Sequence, residues 1–313
     1  MNTYDYTAGQ AWFRDGFVPF SDATLNIASS PVLYGLAVYT VFNVRWDAKR
    51  KRLVIFRLKD HYRRLCDSAR IMDFTPFANI MTYGQFESTM KQLLTVNHIQ
   101  ENVLVRATLF IDELIAGTKA HGLKTSFSAY VYPMGTFYPQ QGVNVCVSSW
   151  QRTPDNAIPS RAKVNGSYAN ATLMKNEALL NGYDEAIALD AEGHVTEGTV
   201  ANLFMVRGGE LITPDQSADI LEGITRDSII KLANKAGITV HQRPIDRSEL
   251  YIADELFYCG SSARITPILS VDKRTIGMQK AGPITQTLRD AYEAAQLGNA
   301  VVCDDWLTPL QIR

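Results

Sequence analysis

Lys163 stands between two apolar residues in the segment PSRAKVNGSY, directly before an Asn-Gly-Ser-Tyr step that leads into a helix-like run. The neighbours Ala162 and Val164 suggest that its side chain is partly buried. A lysine at an arbitrary position is most often a solvated surface residue. A buried lysine, however, loses its charge readily, and a neutral amine forms a Schiff base with an aldehyde. The segment therefore points to an amine that binds an aldehyde cofactor, with a surface lysine as the alternative.

An aldehyde cofactor that carries a phosphate would also need an anion site. Ile224 and Thr225 stand at the predicted start of a helix, where free N–H groups and the helix dipole favour phosphate. Ser261 and Ser262 stand in a glycine-led loop after a predicted strand, and they offer hydroxyl and N–H groups. A plain helix cap at Thr225 and a plain tight turn at the serines are equally good interpretations.

Two further charged residues fit the same chemistry. Arg57 follows the strand-like run LVIF and precedes a helix, so its guanidinium could fork onto a phosphate, although alone it reads as a solvated arginine. Glu197 precedes a Gly-Thr turn and alone reads as an exposed hairpin carboxylate. A carboxylate there could instead keep a pyridine nitrogen protonated, as pyridoxal phosphate requires when it accepts electrons. Each signal is weak alone, and their joint presence favours a pyridoxal-phosphate site.

Other site classes are disfavoured by the sequence. It has no GxGxxG motif after a strand and no GxxxxGK[ST] motif, so dinucleotide and P-loop sites are poor interpretations. The four cysteines form no CxxC pair and no cluster with the five histidines. We therefore expect no metal site and no disulfide framework.

Charge and hydropathy restrict the partners and the location. The net charge is −1, so no global field favours nucleic acid or an anionic membrane. The N-terminal segment lacks a basic-then-apolar signal, and no apolar run approaches the length of a membrane span. Scattered single thiols suggest a reducing compartment. We expect a cytoplasmic protein that binds neither nucleic acid nor membrane.

Element patterns predict an α+β fold with two domains. The chain of 313 residues is long enough for two cores. We predict a small N-terminal α/β sandwich at 1–134, a linker loop at 135–143 and a large domain at 144–313 with a mixed, mainly antiparallel sheet. The linker contains the pattern-breaking run GTFYPQQG.

Local signals predict several elements. A hairpin is expected around Asp15-Gly16, and a strand is expected to end at Trp150. Asp246 and Glu249 have the spacing of a capping box at the start of a short helix. A helix is expected within 57–72, and its predicted apolar stripe comprises Leu58, His61, Leu65, Ala69, Ile71 and Met72.

Several long motifs, in the same order, resemble those of the branched-chain amino acid aminotransferases, which are fold-type IV pyridoxal-phosphate enzymes. The motifs are SSWQRTPDNAIPSRAKVNGSY, GYDEAIALDAEGHVTEGTVANLF, LEGITRDSII and YIADELFYCGSSARITPI. The resemblance runs nearly end to end. It implies pyridoxal 5'-phosphate as cofactor and a homodimer or larger homo-oligomer, because in this family the site draws residues from a neighbouring subunit.

The resemblance also assigns cofactor residues. Lys163 matches the catalytic lysine that holds the cofactor covalently and moves the proton, and Tyr168 matches the tyrosine that binds its phenolic oxygen. Glu197 matches the carboxylate that faces the pyridine nitrogen, and Arg57 matches an arginine that binds the phosphate. The remaining phosphate donors implied by the resemblance are Ile224, Thr225 and Ser261.

Substrate residues follow from the same resemblance. Ser262 stands where the family presents a backbone N–H to the substrate carboxylate. Arg106 matches the arginine that receives the distal carboxylate of glutamate. The residues expected to line the side-chain pocket are Tyr34, Tyr39, Met134 and Phe137.

Two departures from the family pattern fall in the substrate pocket. The family usually shows Phe-Glu-Gly-Ile-Arg where this chain has Tyr-Thr-Val-Phe-Asn, from Tyr39 to Asn43. It usually has a tyrosine at the position of Leu104. Both changes leave the cofactor residues intact and point to an altered or broadened amine scope.

The resemblance implies ping-pong transfer of the amino group of leucine, isoleucine or valine to 2-oxoglutarate. The partners are thus small amino donors and 2-oxo acid acceptors. Alternatives on the same fold are (R)-selective amine transaminase, D-amino acid transaminase and aminodeoxychorismate lyase-like activity. A non-enzymatic protein that binds a phosphate ligand is the alternative of another class.

Overall fold

The computed structural model describes residues 4–115, 117–135, 137–139, 141–299 and 304–312. The chain divides into two compact units. Unit 1 comprises Met1–Gly135, Ala162–Gly166 and Ala295–Arg313, and unit 2 comprises Thr136–Arg161 and Ser167–Ala294.

Sixteen strands and seven α-helices form the described part of the chain. The strands are β1 (Gln10–Phe13), β2 (Gly16–Pro19), β3 (Ala37–Asp47), β4 (Arg52–Phe56), β5 (Val103–Ile111), β6 (Thr125–Pro133), β7 (Val143–Val147), β8 (Glu185–Leu189), β9 (Val195–Gly198), β10 (Asn202–Arg207), β11 (Glu210–Thr213), β12 (Val240–Gln242), β13 (Glu255–Gly260), β14 (Arg264–Val271), β15 (Arg274–Thr275) and β16 (Leu307–Gln311). The helices are α1 (Ser30–Tyr34), α2 (Leu58–Ile71), α3 (Phe77–Ile80), α4 (Tyr83–Val96), α5 (Tyr168–Leu180), α6 (Ile224–Lys235) and α7 (Pro283–Leu297). Short 3₁₀ turns lie at Tyr6–Ala8, Phe20–Asp22, Arg247–Ile252 and Asp304–Trp306.

Unit 1 is built on an antiparallel sheet in the order β16-β4-β3-β5-β6-β1-β2. Side chains alternate between the two faces of each strand, as the strand period of two requires. On β5, for example, Val105 and Ala107 lie in the apolar core with residues of α2 and α4. Leu104 and Arg106 therefore project from the opposite face, which leaves that face available for polar side chains.

Two segments that the prediction placed in the large domain lie in unit 1. The first is Ala162–Gly166, where Val164 forms a bridge with Val38 of β3. The second contains β16, which pairs with β4 along its full length. Such pairings join residues far apart in sequence, so local patterns carry no sign of them. The predicted linker at 135–143 stays a prediction, and its residues 136 and 140 lie outside the described residues.

Unit 2 contains a closed ring of six strands in the order β10-β13-β14-β7-β8-β9, with β9 paired back to β10. The β14–β7 and β7–β8 pairings are parallel, and the other four are antiparallel. Strands β11, β12 and β15 extend this sheet. The α+β fold and the mixed, mainly antiparallel sheet are thus confirmed.

Local predictions were accurate within a few residues. The capping box of Asp246 and Glu249 is present. The hairpin of β1 and β2 is confirmed, but its turn residues are Arg14 and Asp15, because Phe13 pairs directly with Gly16. The strand expected to reach Trp150 ends at Val147. Ile71 was wrongly placed in the buried stripe of α2, since it lies exposed at the last turn of the helix.

Within the described residues, no helix is long and apolar enough to cross a membrane.

Candidate active site

The backbone of Lys163 is hydrogen-bonded to strand β3 on one side and to a side chain of helix α2 on the other. Its carbonyl accepts a hydrogen bond from Tyr39 N at 3.0 Å, and its N–H donates to Ser68 Oγ at 3.2 Å. Its neighbours Ala162 and Val164 are buried in the core, whereas Lys163 itself is half-buried. The partial burial expected from the flanking residues is thus present, and the origin of the lysine side chain is fixed relative to β3.

The ring of Tyr39 brings Lys163 and Arg106 together. Lys163 Nζ lies 4.9 Å from the ring centre, and Arg106 Cζ lies 3.6 Å from it. Tyr39 and Arg106 are diagonal neighbours on one face, because the register pairs Val41 with Arg106. Arg106 Nη2 also donates to Asn165 Oδ1 at 3.1 Å. Three residues predicted for the site therefore form one cluster within unit 1.

A glycine pair allows the segment of Lys163 to approach the end of α1. Gly35 has φ +67°, in the left-handed region that favours glycine. A Cβ on Gly35 would lie only 2.6 Å from Gly166 Cα, so the two backbones touch. Gly166 N also donates to Gly35 O at 3.3 Å. The close approach fixes the chain three residues after Lys163.

His61 lies close enough to Lys163 to be influenced by its charge. The sequence indicated only that His61 belongs to the apolar stripe of α2. It is buried, and its Nδ1 lies 2.6 Å from Thr40 Oγ1. Arg64 Nη2 donates to the same hydroxyl oxygen at 3.0 Å, so the hydroxyl hydrogen is available for Nδ1. Burial lowers the pKa of His61 well below its usual value, and the charges of Arg64, Arg57 and Lys163 lower it further. Burial and the neighbouring cations therefore favour the neutral form of the His61 ring.

Arg57 is buried at the N-terminus of α2, so the interpretation as a solvated arginine is wrong. Its backbone is in the left-handed region with φ +54°, which is uncommon for a residue with a side chain. Arg57 Nε donates to Asp60 Oδ2 at 2.7 Å, and its guanidinium carbon lies 4.6 Å from the ring centre of Trp306. Its assignment to a phosphate stays a prediction.

Glu197 is a buried residue of β9 in unit 2, so the interpretation as an exposed hairpin carboxylate is also wrong. Arg152 Nη2 lies 2.8 Å from Glu197 Oε1, and Asn202 Nδ2 donates to Oε2 at 2.8 Å. Arg152 and Asn202 lie in the motifs named above, but the sequence indicated no function for either residue. The available signal was an amide at the first position of β10, before four apolar residues.

Asn202 also connects Glu197 to the N-terminus of α6. Asn202 Nδ2 donates to Leu221 O at 2.9 Å, and Leu221 N donates to Glu197 Oε2 at 3.3 Å. A Cβ on Gly223 would lie 2.0 Å from Asn202 Oδ1, so only glycine fits there. Glu197 and the start of α6 therefore lie at one end of the ring of strands.

The N-terminus of α6 has the features of an anion site. Gly223 is the N-cap, and Thr225 is the second residue of the helix. The interpretation of Thr225 as a plain cap is therefore wrong. Thr225 is buried, and its Oγ1 lies 3.3 Å from Tyr292 Oη. The backbone N–H groups of Ile224 and Thr225 have no acceptor within the helix, because no helical carbonyl precedes the first turn of an α-helix.

Arg226 adds a buried cation to this first turn. Arg226 Nη2 donates to Pro214 O at 2.7 Å and to Gln242 Oε1 at 2.9 Å, both neutral acceptors. Burial lowers the pKa of Arg226 from its ordinary value. A positive charge at the positive end of a helix dipole is unfavourable alone and favourable beside an anion. The charge distribution thus suits a phosphate at the start of α6.

The remaining predicted residues lie at element ends. Ser261 and Ser262 form the half-buried turn between β13 and β14, and the pairing of Asn202 with Cys259 puts this turn near Glu197. The positions of the other predicted residues are as follows: Tyr168 begins α5, Tyr34 ends α1, Met134 follows β6 with its sulfur 3.7 Å from Arg45 Nη1, and Phe137 is exposed with its ring 4.7 Å from that of Tyr138.

The donor set fits pyridoxal phosphate. Unit 1 supplies a half-buried primary amine, which suits an aldehyde partner. Unit 2 supplies a buried carboxylate for a ring N–H, together with helix N–H groups, a buried cation and a serine turn for a phosphate. Taken separately, unit 1 thus has a group that suits the aldehyde, and unit 2 has groups that suit the ring nitrogen and the phosphate.

Comparison with known proteins gives a consistent result. The family model for class IV amino-transferases matches residues 37–271. The probable branched-chain-amino-acid aminotransferase of Aquifex aeolicus is 38% identical over 302 residues, which is 96% of each chain. The branched-chain-amino-acid aminotransferase of Escherichia coli K12 is 35% identical and aligns with 91% of this chain and 92% of its own.

Solved structures agree with the sequence relatives. The branched-chain aminotransferase of Thermoproteus uzoniensis, crystallised with norvaline, superposes with a TM-score of 0.91 at 35% identity, covering 96% of this chain and 99% of that one. The PLP-form of the Thermobaculum terrenum enzyme gives a TM-score of 0.91 at 33% identity, covering 97% and 99%. The resemblance inferred from the motifs is confirmed, and the chain belongs to the class IV aminotransferases.

Proposed function

We propose that this protein is a pyridoxal-phosphate-dependent aminotransferase that transfers the amino group of branched-chain L-amino acids to 2-oxoglutarate. The observation that carries the proposal is the cluster of Lys163, Tyr39 and Arg106 on one face of the unit 1 sheet. It combines an amine for the cofactor, an apolar ring for a hydrocarbon side chain and a cation for a distal carboxylate. An enzyme that alternates leucine with glutamate needs all three.

Each cofactor residue has a defined task in this proposal. When bound, pyridoxal phosphate supplies an aldehyde that takes up the amino group and a ring that accepts electron density. Lys163 Nζ holds the aldehyde and, once displaced by the donor, takes the proton from the α-carbon and returns it. Glu197 accepts a hydrogen bond from the protonated ring nitrogen.

Phosphate binding is assigned to the loops and helix ends. The N–H groups of Ile224 and Thr225, with the Thr225 hydroxyl, supply donors at the positive end of α6. Ser261 adds a hydroxyl, and Arg57 adds a guanidinium. Tyr168, at the start of α5, is assigned to the phenolic oxygen. These assignments rest on the family resemblance and on the burial of Arg57 and Thr225.

Substrate recognition is assigned to the unit 1 sheet face and to the serine turn. Arg106 receives the distal carboxylate of glutamate or 2-oxoglutarate, and the N–H of Ser262 binds the α-carboxylate. Tyr34, Tyr39, Met134 and Phe137 are proposed to contact the donor side chain.

The two departures from the family pattern support a broadened amine scope as the second candidate. Asn43 and Leu104 pair directly across β3 and β5, so both changes meet at one point of the sheet. Both side chains are buried, and they project from the same face as Tyr39 and Arg106. A change at this point alters the pocket, which keeps (R)-amine and D-amino acid donors open as substrates.

A homodimer or larger homo-oligomer is also proposed. Exposed apolar side chains on and beside α1, namely Ile27, Val32 and Leu33, favour burial against another surface. The cytoplasmic location stays a prediction.

A donor panel tests the function. Purified protein given L-leucine and 2-oxoglutarate should form glutamate, and Lys163→Ala should form none. Borohydride should fix the cofactor to Lys163 and bleach its visible absorbance. Activity with (R)-1-phenylethylamine or D-alanine instead of L-leucine would favour the second candidate. A colourless protein that stays inactive with added cofactor would contradict the proposal and favour a phosphate-ligand binder.

A further inference from the structure

Arg152 contacts Glu197 directly, and the function proposed above leaves it without a task. Its Nη2 lies 2.8 Å from Glu197 Oε1, and the two side chains are only 11% and 7% exposed. Arg152 Nε also donates to Asp219 O at 3.2 Å, and its backbone N–H donates to Leu189 O at 2.8 Å. The guanidinium is therefore held by neighbours besides its carboxylate partner.

A buried ion pair is a poor way to gain stability, because desolvation of both charges offsets much of their attraction. Its strong effect is on protonation, since a cation within hydrogen-bond distance favours the ionised form of a carboxylate. Asn202 Nδ2 and Leu221 N donate to the other oxygen of Glu197, which also favours the anion. The three donors together fix the charge and the direction of this carboxylate.

We propose that Arg152 is a positioning residue that keeps Glu197 ionised and oriented, so that Glu197 holds the cofactor ring nitrogen protonated. The inference rests on the proposed role of Glu197. A neutral carboxyl group in its place would share a proton with the pyridine nitrogen instead of stabilising a pyridinium. A less protonated ring accepts electron density less well, so removal of the α-proton would slow.

The direct test is the ¹⁵N chemical shift of the ring nitrogen in holoenzyme loaded with ¹⁵N-labelled pyridoxal phosphate, followed with pH. Arg152→Gln should move the shift towards neutral pyridine at a pH where the wild type is protonated, and Arg152→Lys should restore part of it. Arg161→Gln is the matched control. Arg161 lies in the same segment and pairs with Asp155 and Glu222, but it is 41% exposed and contacts neither Glu197 nor Arg152 in the described residues.

A kinetic experiment separates an effect of Arg152 on the cofactor ring nitrogen from a general loss of structure. The half-reaction with L-leucine should slow at least 10-fold in Arg152→Gln. The same enzyme loaded with 1-deazapyridoxal phosphate, which has no ring nitrogen, should show little further loss. A full additional loss with the deaza cofactor would mean that Arg152 acts elsewhere and would overturn the inference.

The variant Glu197→Gln separates a failure of the role proposed for Arg152 from a failure of the role proposed for Glu197. If Glu197→Gln loses ring protonation and Arg152→Gln keeps it, the role of Arg152 is overturned and the role of Glu197 stands. If both variants keep it, the role of Glu197 fails, and the inference fails with it. Should Arg152→Gln not fold, Arg152→Lys decides alone. Its ring nitrogen should become neutral at a lower pH than in the wild type, and an unchanged pH would overturn the proposal.

Discussion

The guanidinium of Arg106 stacks on the ring of Tyr39, with its central carbon 3.6 Å from the ring centre. The same ring is 4.9 Å from Lys163 Nζ. Tyr39 is buried, so these cation–π contacts are partly desolvated and worth about 1–2 kcal/mol. Asn165, two residues after Lys163, holds Arg106 from another side. The arginine assigned to the substrate and the lysine assigned to the cofactor are thus ordered by a shared set of contacts.

Replacing Tyr39 should therefore raise the KM for the dicarboxylic acceptor more than the KM for an acceptor with a hydrocarbon side chain. In Tyr39→Leu the ring no longer orients Arg106, and we expect the KM for 2-oxoglutarate to rise about 5- to 30-fold, the equivalent of ~1–2 kcal/mol. The KM for 4-methyl-2-oxopentanoate should change less. Tyr39→Phe keeps the ring and should stay near the wild type. Equal rises for both acceptors in Tyr39→Leu would contradict the role of the stack.

A methyl group at Gly35 should disrupt the segment that carries Lys163. Gly35→Ala puts a Cβ 2.6 Å from Gly166 Cα at a residue with φ +67°, so we expect a loss of about 1–3 kcal/mol in the free energy of unfolding. Gly84→Ala is the matched control. Gly84 lies in α4 with nothing within 4 Å of an added Cβ, and alanine there should stabilise by about 0.5 kcal/mol. Urea unfolding of both variants measures the two effects, and equal signs would contradict this account.

His61 should make stability depend on pH. Its pKa in the folded protein lies well below the usual 6.5, because the ring is buried and Arg64, Arg57 and Lys163 face it. Below pH 6.5 the unfolded chain binds a proton that the folded chain does not, so stability is lost as pH falls. The slope from this residue is up to about 1.4 kcal/mol per pH unit. The contribution of neutral His61 to the free energy of unfolding is fully present above pH 6.5.

The measurement is the free energy of unfolding of the wild type and of His61→Gln at pH 7.5 and 5.5. The glutamine removes the titrating group, so the cost of the substitution should shrink by about 1.4 kcal/mol at the lower pH. A cost that is constant or grows at pH 5.5 would show that His61 is charged in the folded protein.

Much of the fold could be predicted because its signals are local. The apolar stripe of α2 and the capping box at Asp246 arise from neighbouring residues, and both were read from the sequence. The pairing of β16 with β4 could not be predicted, because it joins residues about 250 positions apart. The short helix α3 gives too few residues for a periodic pattern. Long-range pairing and very short elements are where sequence reasoning failed.

In the candidate site, too, some residues could be predicted from local sequence and others could not. Lys163 and Glu197 were identified because an amine and a carboxylate in these motifs have an evident use. Arg152 and His61 were missed for a physical reason, since their importance lies in the side chain that each contacts. An arginine after SSWQ and a histidine in an apolar stripe look like surface and core residues until the fold brings Glu197 and Thr40 to them.

A buried carboxylate in unit 2 should depend on its lysine. Glu185 is 1% exposed, and Lys175 Nζ lies 3.2 Å from Glu185 Oε2. Thr199 Oγ1 donates to Oε1 at 2.8 Å, and the Tyr138 hydroxyl donates to Oε2. Lys175→Met removes the only cation paired with Glu185 in the described residues, and the uncompensated charge should destabilise the protein. Lys175 is 32% exposed, so solvent screens part of the effect, and we expect a loss of about 2–3 kcal/mol.

Lys231→Met is the comparison for this prediction. Lys231 pairs with Asp227 one turn away on α6 at 2.8 Å, but the two side chains are 51% and 44% exposed. Its loss should cost no more than about 0.5 kcal/mol. Equal losses in the two variants under urea unfolding would show that Lys175 does not compensate Glu185.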